Sequence, residues 1–175
     1  SVHHTKGEVR IGMVGKYFAT GDFVLADSYL SVIEAVKYAA YKANKKPVID
    51  WIAATDFEGK HAAANLAKLK KYDGIIVPGG FGARGIEGKL AVIKYARTKK
   101  IPYFGLCYGM QLMVVEYARN VCGLQGASST EFGATPHPVI ALLPEQEKIR
   151  HMGATMRLGN YPAHLKEGSL AHRIY

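Results

Sequence analysis

The chain has 175 residues, 49% hydrophobic and 21% charged, with Lys and Arg exceeding Asp and Glu by 23 to 14 for a formal charge of +9. That balance fits one soluble folded domain and excludes a disordered chain, and no apolar run approaches the roughly 20 residues of a membrane span. Two cysteines are too few for a disulfide framework, and the opening Ser1-Val2-His3-His4-Thr5 lacks the basic-then-apolar pattern of a secretory signal, so a reducing, cytoplasmic setting is expected.

Residues 9–14 form a short apolar run and predict the first strand. A loop follows, and Asp27 or Ser28 suits a helix N-cap. Residues 29–44 predict a helix, with Val32, Ile33, Val36, Ala39 and Ala40 on one face. Strand 47–52, a polar turn at 55–59, helix 61–72 and strand 74–77 come next. Residues 88–100 predict another helix, and 102–106 a buried strand. Helical spacing resumes at 110–120.

The positive charge gathers near predicted helix ends: Lys42, Lys45 and Lys46; Lys68, Lys70 and Lys71; Arg97, Lys99 and Lys100. Helix C-termini favour cations. No zinc-finger spacing or aromatic-basic signature is present, so nucleic-acid binding is not expected.

Strands alternating with amphipathic helices predict an α/β fold with a mostly parallel central sheet between two helical layers. Ligands bind such sheets at the carboxyl ends of the strands. After Cys122 the texture changes. Residues 139–143, 155–158 and 163–165 are short strand candidates, and 169–175 a helix candidate. Cys122 itself reads as a buried core thiol.

Two strand ends carry chemistry. Gly105-Leu106-Cys107-Tyr108-Gly109 is the thiol version of the Gly-x-Ser-x-Gly nucleophile elbow. Its glycines permit a sharp strand-to-helix turn, and a helix start favours negative charge, the form in which a thiol attacks. Cys107 is therefore the candidate nucleophile. After strand 74–77 comes Pro78-Gly79-Gly80-Phe81-Gly82, whose backbone amides suit an oxyanion. The amides of Gly80 and Tyr108 would then flank one carbonyl, which points to acyl transfer through a thioester. The segment 83–88 has the glycines of a lid, where Arg84 and Glu87 either face a ligand or form a solvated pair. A general acid or base is missing. None of the seven histidines is followed two residues later by an orienting Asp or Glu.

Together these residues resemble the glutamine amidotransferase domain of the CTP synthases. The likeness rests on Val77-Pro78-Gly79-Gly80-Phe81-Gly82, on Arg84-Gly85-Ile86-Glu87-Gly88-Lys89, and on residues 102–111 with Glu116-Tyr117-Ala118-Arg119-Asn120. Ser129-Thr130-Glu131-Phe132 and Thr155-Met156-Arg157-Leu158-Gly159 extend it over nearly the whole chain. The resemblance implies a flavodoxin-like class I amidotransferase fold and glutamine hydrolysis to glutamate and ammonia through a Cys107 thioester. L-glutamine would be held by Gly79, Gly80, Phe81, Tyr108, Gly109, Met110, Gln111 and Glu131. Arg84, Glu87 and Arg157 would belong to the lid or to a GTP-responsive region.

The resemblance also implies a separate amidoligase domain, where ammonia aminates UTP with ATP and magnesium, and a homotetrameric full enzyme with GTP as activator. No metal or other cofactor is expected within residues 1–175. This domain is expected to be incomplete at its C-terminal end, because the family's catalytic histidine and orienting glutamate match nothing before Tyr175. The family usually has leucine at the position of Tyr108, and a slightly longer segment after Phe132. Two other readings stay open: a non-catalytic ligand-binding or regulatory domain on this scaffold, and an elbow-cysteine thiol hydrolase or redox protein.

Overall fold

The structure, a computed structural model, describes residues 5–15, 29–80, 83–142 and 162–174. The chain divides into two compact units, Ser1–Ala141 and Leu142–Tyr175. In the first, the elements run β1 (Glu8–Gly15), α1 (Leu30–Lys42), β2 (Lys46–Ala53), α2 (Ala62–Ala67), β3 (Gly74–Val77), α3 (Ile86–Lys99), β4 (Tyr103–Gly105), α4 (Tyr108–Asn120), β5 (Ser128–Ser129) and β6 (Pro138–Ile140). The main sheet has the order β2-β1-β3-β4, and all three pairings are parallel. This is the start of the flavodoxin-like order, with its switch point between β1 and β3. A small parallel pair, β5 with β6, stands apart from it.

The period-2 pattern of β3 explains the layers. Ile75 and Val77 point into a core with Val14, Phe57, Leu69, Tyr72 and Val92. Ile76, between them, lines a cleft of about 360 Å³ with Val32, Val36, Phe104 and Leu106 on the α1 side. A strand buried on both faces reads as an unbroken apolar run, as Gly74-Ile75-Ile76-Val77 does. Ile75 and Val77 are no more than 1% exposed, and each such side chain stabilises the fold by about 1.5–3 kcal/mol.

A second core joins Ile86, Leu90 and Ile93 of α3 to Tyr108, Leu112 and Val115 of α4, with Phe132, Val139 and Ile140 against them. Beside it the two helices share an ion pair. Glu116, 1% exposed, takes hydrogen bonds from Arg97 Nε at 2.9 Å and Nη2 at 2.8 Å.

Several expectations need correction. α1 has Tyr29 as its N-cap, with no side-chain cap; Asp27 and Ser28 lie outside the described residues. The helix expected over 61–72 is α2 between two 3-10 turns, Gly59–His61 before it and Lys68–Lys71 after it. α3 starts two residues early, so Ile86, Glu87 and Gly88 are helix rather than lid loop. Cys122 is exposed, not a core thiol. α4 ends at Asn120, and the chain turns there with the Cys122 amide donating to the Tyr117 carbonyl at 3.1 Å.

In the second unit the described residues hold one helix, α5 (Leu170–Ile174), opened by the Ser169 hydroxyl accepting from the His172 amide. Residues 163–165 form no strand there, being exposed with no ladder partner among the described residues. The strand candidate at 155–158 lies outside the described residues.

Candidate active site

The sheet register brings the two glycine-rich strand ends together. Val77 pairs with Gly105, and the Leu106 amide donates to the Val77 carbonyl at 3.0 Å. Pro78-Gly79-Gly80 therefore leaves β3 beside Leu106-Cys107 leaving β4. A Cβ placed on Gly79 would sit 3.7 Å from that of Cys107.

Cys107 is exposed and is the N-cap of the thirteen-residue α4, with φ 50° and ψ −104°. A non-glycine residue held there costs about 1–3 kcal/mol and persists only where its surroundings over-determine it. They do so here. The Gly109 amide donates to the Leu106 carbonyl at 2.9 Å, and the Gln111 amide to the Cys107 carbonyl at 3.1 Å. The Tyr103 hydroxyl donates to the Gly109 carbonyl at 2.8 Å. Burial pushes the Tyr103 phenol well above its ordinary range, so it remains a donor.

Both elbow glycines are dictated by close approach. A Cβ on Gly105 would lie 2.5 Å from the Gly109 carbonyl carbon, and one on Gly109 would lie 2.0 Å from the Val77 oxygen. The turn thus presents a strained, accessible thiol at the amino end of a helix, where amides favour negative charge. Opposite it runs a glycine pair that no side chain of the described residues crowds. Such an arrangement can form a covalent acyl intermediate and hold an oxyanion.

The remaining candidates fall at different distances. Gly80 is half-buried, and among the described residues no atom beyond its chain neighbours lies within 4 Å of where its Cβ would be. Met110 is 44% exposed on the first turn of α4, with Gln111 half-buried beside it. Glu131 is exposed on a 3-10 turn, Thr130–Phe132, whose start is capped by Ser129 Oγ accepting from the Glu131 amide at 3.2 Å. That turn reaches the elbow through an edge-to-face contact of Tyr108 and Phe132, with ring centroids 5.9 Å apart. Burial, with the charge of Glu131 second, raises the Tyr108 phenol above its ordinary range.

Arg84 is exposed ahead of α3. Glu87 pairs with Arg119 at 3.2 Å, near the far end of α4, about 18 Å along the helix from Cys107 at the usual rise per residue. Phe81 and Arg157 lie outside the described residues. Three neighbours of the elbow are given no individual role by the sequence. They are Tyr103, Lys89, and Tyr29, whose hydroxyl lies 3.5 Å from the Gly79 carbonyl. Tyrosine and lysine read as ordinary core or surface residues until the fold sets them around a turn.

A parallel doubly-wound sheet with a cysteine elbow beside a glycine pair defines an elbow-cysteine α/β protein. Comparison with known sequences gives the family. The family described as Glutamine amidotransferase class-I matches residues 24–173, and the chain belongs to it. Similar relatives include the CTP synthase of Methanothrix thermoacetophila, 62% identical over 96% of this chain and 31% of the relative. Another is the CTP synthase of Staphylococcus carnosus, 52% identical over 99% of this chain and 31% of the relative. The chain thus spans about a third of the length of these relatives. Among solved structures, it is similar to the Trypanosoma brucei CTPS glutaminase domain with bound acivicin. The TM-score is 0.71 and the identity 37%, over 79% of this chain and 51% of that one.

Proposed function

We propose that this chain is the glutaminase part of a CTP synthase, with Cys107 as its nucleophile. The observation that carries the reading is the accessible, strained Cys107 at the start of α4, facing Gly79 across adjacent strand ends. Its thiolate attacks the side-chain carbonyl carbon of L-glutamine. The carbonyl oxygen takes the negative charge and is held by the Gly80 and Tyr108 amides. Collapse breaks the C–N bond, and the departing nitrogen takes a proton from a general acid and leaves as ammonia. Water then cleaves the glutamyl thioester to glutamate and the free thiol.

On this reading Glu131 pairs with the substrate ammonium and Gln111 holds its amino-acid end, while Gly79, Phe81, Gly109 and Met110 shape the pocket. Arg84 and Arg157 belong to a lid or GTP-responsive region, and Glu87, in the first turn of α3, to the GTP-responsive part. The ammonia serves ATP- and magnesium-dependent amination of UTP on an amidoligase domain in a homotetrameric, cytoplasmic enzyme. Among the described residues no group of three or more His, Cys, Asp or Glu could hold a metal ion. None of the described helices is long and apolar enough to cross a membrane.

The test is covalent. A glutamine-mimicking electrophile should add once, by intact mass, with protection by excess glutamine and loss in Cys107→Ala. Labelling at Cys122, or no protection, would favour a redox thiol instead. Ammonia release from the longer polypeptide separates the enzyme from a purely ligand-binding domain.

A further inference from the structure

Lys89 is 3% exposed, the one buried lysine or arginine among the described residues. The thioester chemistry gives it no task. It sits in the first turn of α3, where its amide donates to the Gly85 carbonyl at 3.1 Å. The preceding Gly88 amide is held by Glu58 Oε1 at 3.1 Å, so the backbone that carries the lysine is pinned. Its ammonium lies 4.7 Å from the centre of the Tyr108 ring. A buried ammonium needs compensation for its lost water, and an aromatic face supplies part of it.

Tyr108 does not end the chain of contacts. It is 2% exposed and meets Phe132 at an interplanar angle of 84°. Phe132 closes the same 3-10 turn that carries Glu131, and Ser129 caps the other end of that turn. The turn that carries the carboxylate is therefore held from two sides, by the Ser129 hydroxyl accepting from the Glu131 amide and by ring packing at Phe132. We infer that Lys89 is a positioning residue which, through the rings of Tyr108 and Phe132, sets the Glu131 carboxylate for the ammonium of the substrate.

The inference rests on the glutaminase reading of Glu131 and deepens it. It also gives the side chain of Tyr108 a role beyond its amide. Leucine, usual in the family at this position, has no ring face to offer a cation. The lysine acts on substrate capture, not on the bond that breaks.

The test is steady-state glutaminase kinetics on the full-length polypeptide that contains this chain. Lys89→Met keeps an unbranched apolar stem and removes the charge. It should raise KM for glutamine about tenfold with kcat within about twofold, the mark of lost ground-state binding. Lys89→Arg should stay within about threefold of wild type, since guanidinium also sits on ring faces. Glu131→Gln should raise KM at least as far as Lys89→Met, and the double variant should be no worse than Glu131→Gln alone.

If Glu131→Gln leaves KM unchanged, the substrate-binding reading of that residue fails. If Glu131→Gln raises KM while Lys89→Met leaves it alone, or lowers kcat at constant KM, the positioning role is overturned and the site reading stands. Multiplying effects in the double variant would also overturn it. Should circular dichroism show Lys89→Met unfolded, Phe132→Leu breaks the same link from the other end. It must show the same rise in KM.

Discussion

Gly79 and Cys107 face each other across the carboxyl ends of β3 and β4, with a Cβ on the glycine 3.7 Å from that of the cysteine. Ordinary van der Waals space separates them, which an alanine methyl can fill. The four glycines around the thiol therefore divide by cause. Gly105 and Gly109 are required by the polypeptide itself, because their Cβ atoms would meet backbone at 2.5 and 2.0 Å. Gly79 and Gly80 are not required by it.

That division gives a first expectation. Gly109→Ala should destabilise the fold by about 3 kcal/mol or more, since backbone must shift to admit the methyl. Gly80→Ala should melt within a few degrees of wild type, yet lose most glutaminase activity if its amide faces the reacting carbonyl. Thermal melts with ammonia-release assays on the full-length polypeptide check both. An active Gly80→Ala enzyme would remove Gly80 from the oxyanion site.

The strain at Cys107 can be measured apart from its chemistry. Both Cys107→Ala and Cys107→Gly lack the thiol and should be inactive. Only glycine adopts φ 50°, ψ −104° without penalty. Cys107→Gly should therefore be more stable than Cys107→Ala by about 1 kcal/mol, or roughly 3 °C in melting temperature. Equal melting temperatures would mean that the elbow relaxes once sulfur is removed.

What is legible in the chain divides along physical lines. The elbow, the oxyanion glycines and the alternation of strand and helix are local patterns, and glycine pairs and period-2 apolar runs each report a particular backbone geometry. The turn carrying Glu131 stands out only through resemblance, because its tie to the site runs through Phe132 and Tyr108, 24 residues apart in sequence. Cys122 reads as a core thiol, yet α4 stops at Asn120 and Val121, Cys122 and Gly123 lie exposed beyond it, so the apolar face of the helix does not carry the thiol inward. Lys89 gives no sign of being a buried group. Lysine is almost never fully buried, so its default place is the surface.

The Arg97–Glu116 pair makes a prediction about how α3 and α4 are joined. Glu116 is 1% exposed, and Arg97 contacts both of its oxygens. Arg97→Met would strand a buried carboxylate and should cost about 2–3 kcal/mol. Arg97→Met with Glu116→Leu removes both charges and should recover most of that loss. Urea unfolding of the four proteins in the cycle measures the coupling; additive losses would show that the pair does not act as a unit.

The last prediction concerns alkaline pH and the Tyr103 hydroxyl that props the elbow. Burial raises the folded-state pKa of Tyr103, and burial with the charge of Glu131 raises that of Tyr108. In the unfolded chain a tyrosine releases its proton near pH 10. For a raised folded pKa, the stabilising difference is intact below the unfolded value and is lost as pH climbs from there toward the folded one. Stability should therefore be level up to about pH 10 as far as these groups decide it, and then fall as pH rises. Tyr103→Phe deletes the hydrogen bond to the Gly109 carbonyl and should cost about 1 kcal/mol at neutral pH. The same substitution should flatten the alkaline fall, since one of the three phenols raised by burial, Tyr72, Tyr103 and Tyr108, no longer titrates. Denaturant midpoints between pH 8 and about pH 11.5, spanning the tyrosine range, give the answer. A Tyr103→Phe curve parallel to wild type would show that the phenol is not shielded from solvent, and its part in holding the elbow would be lost with it.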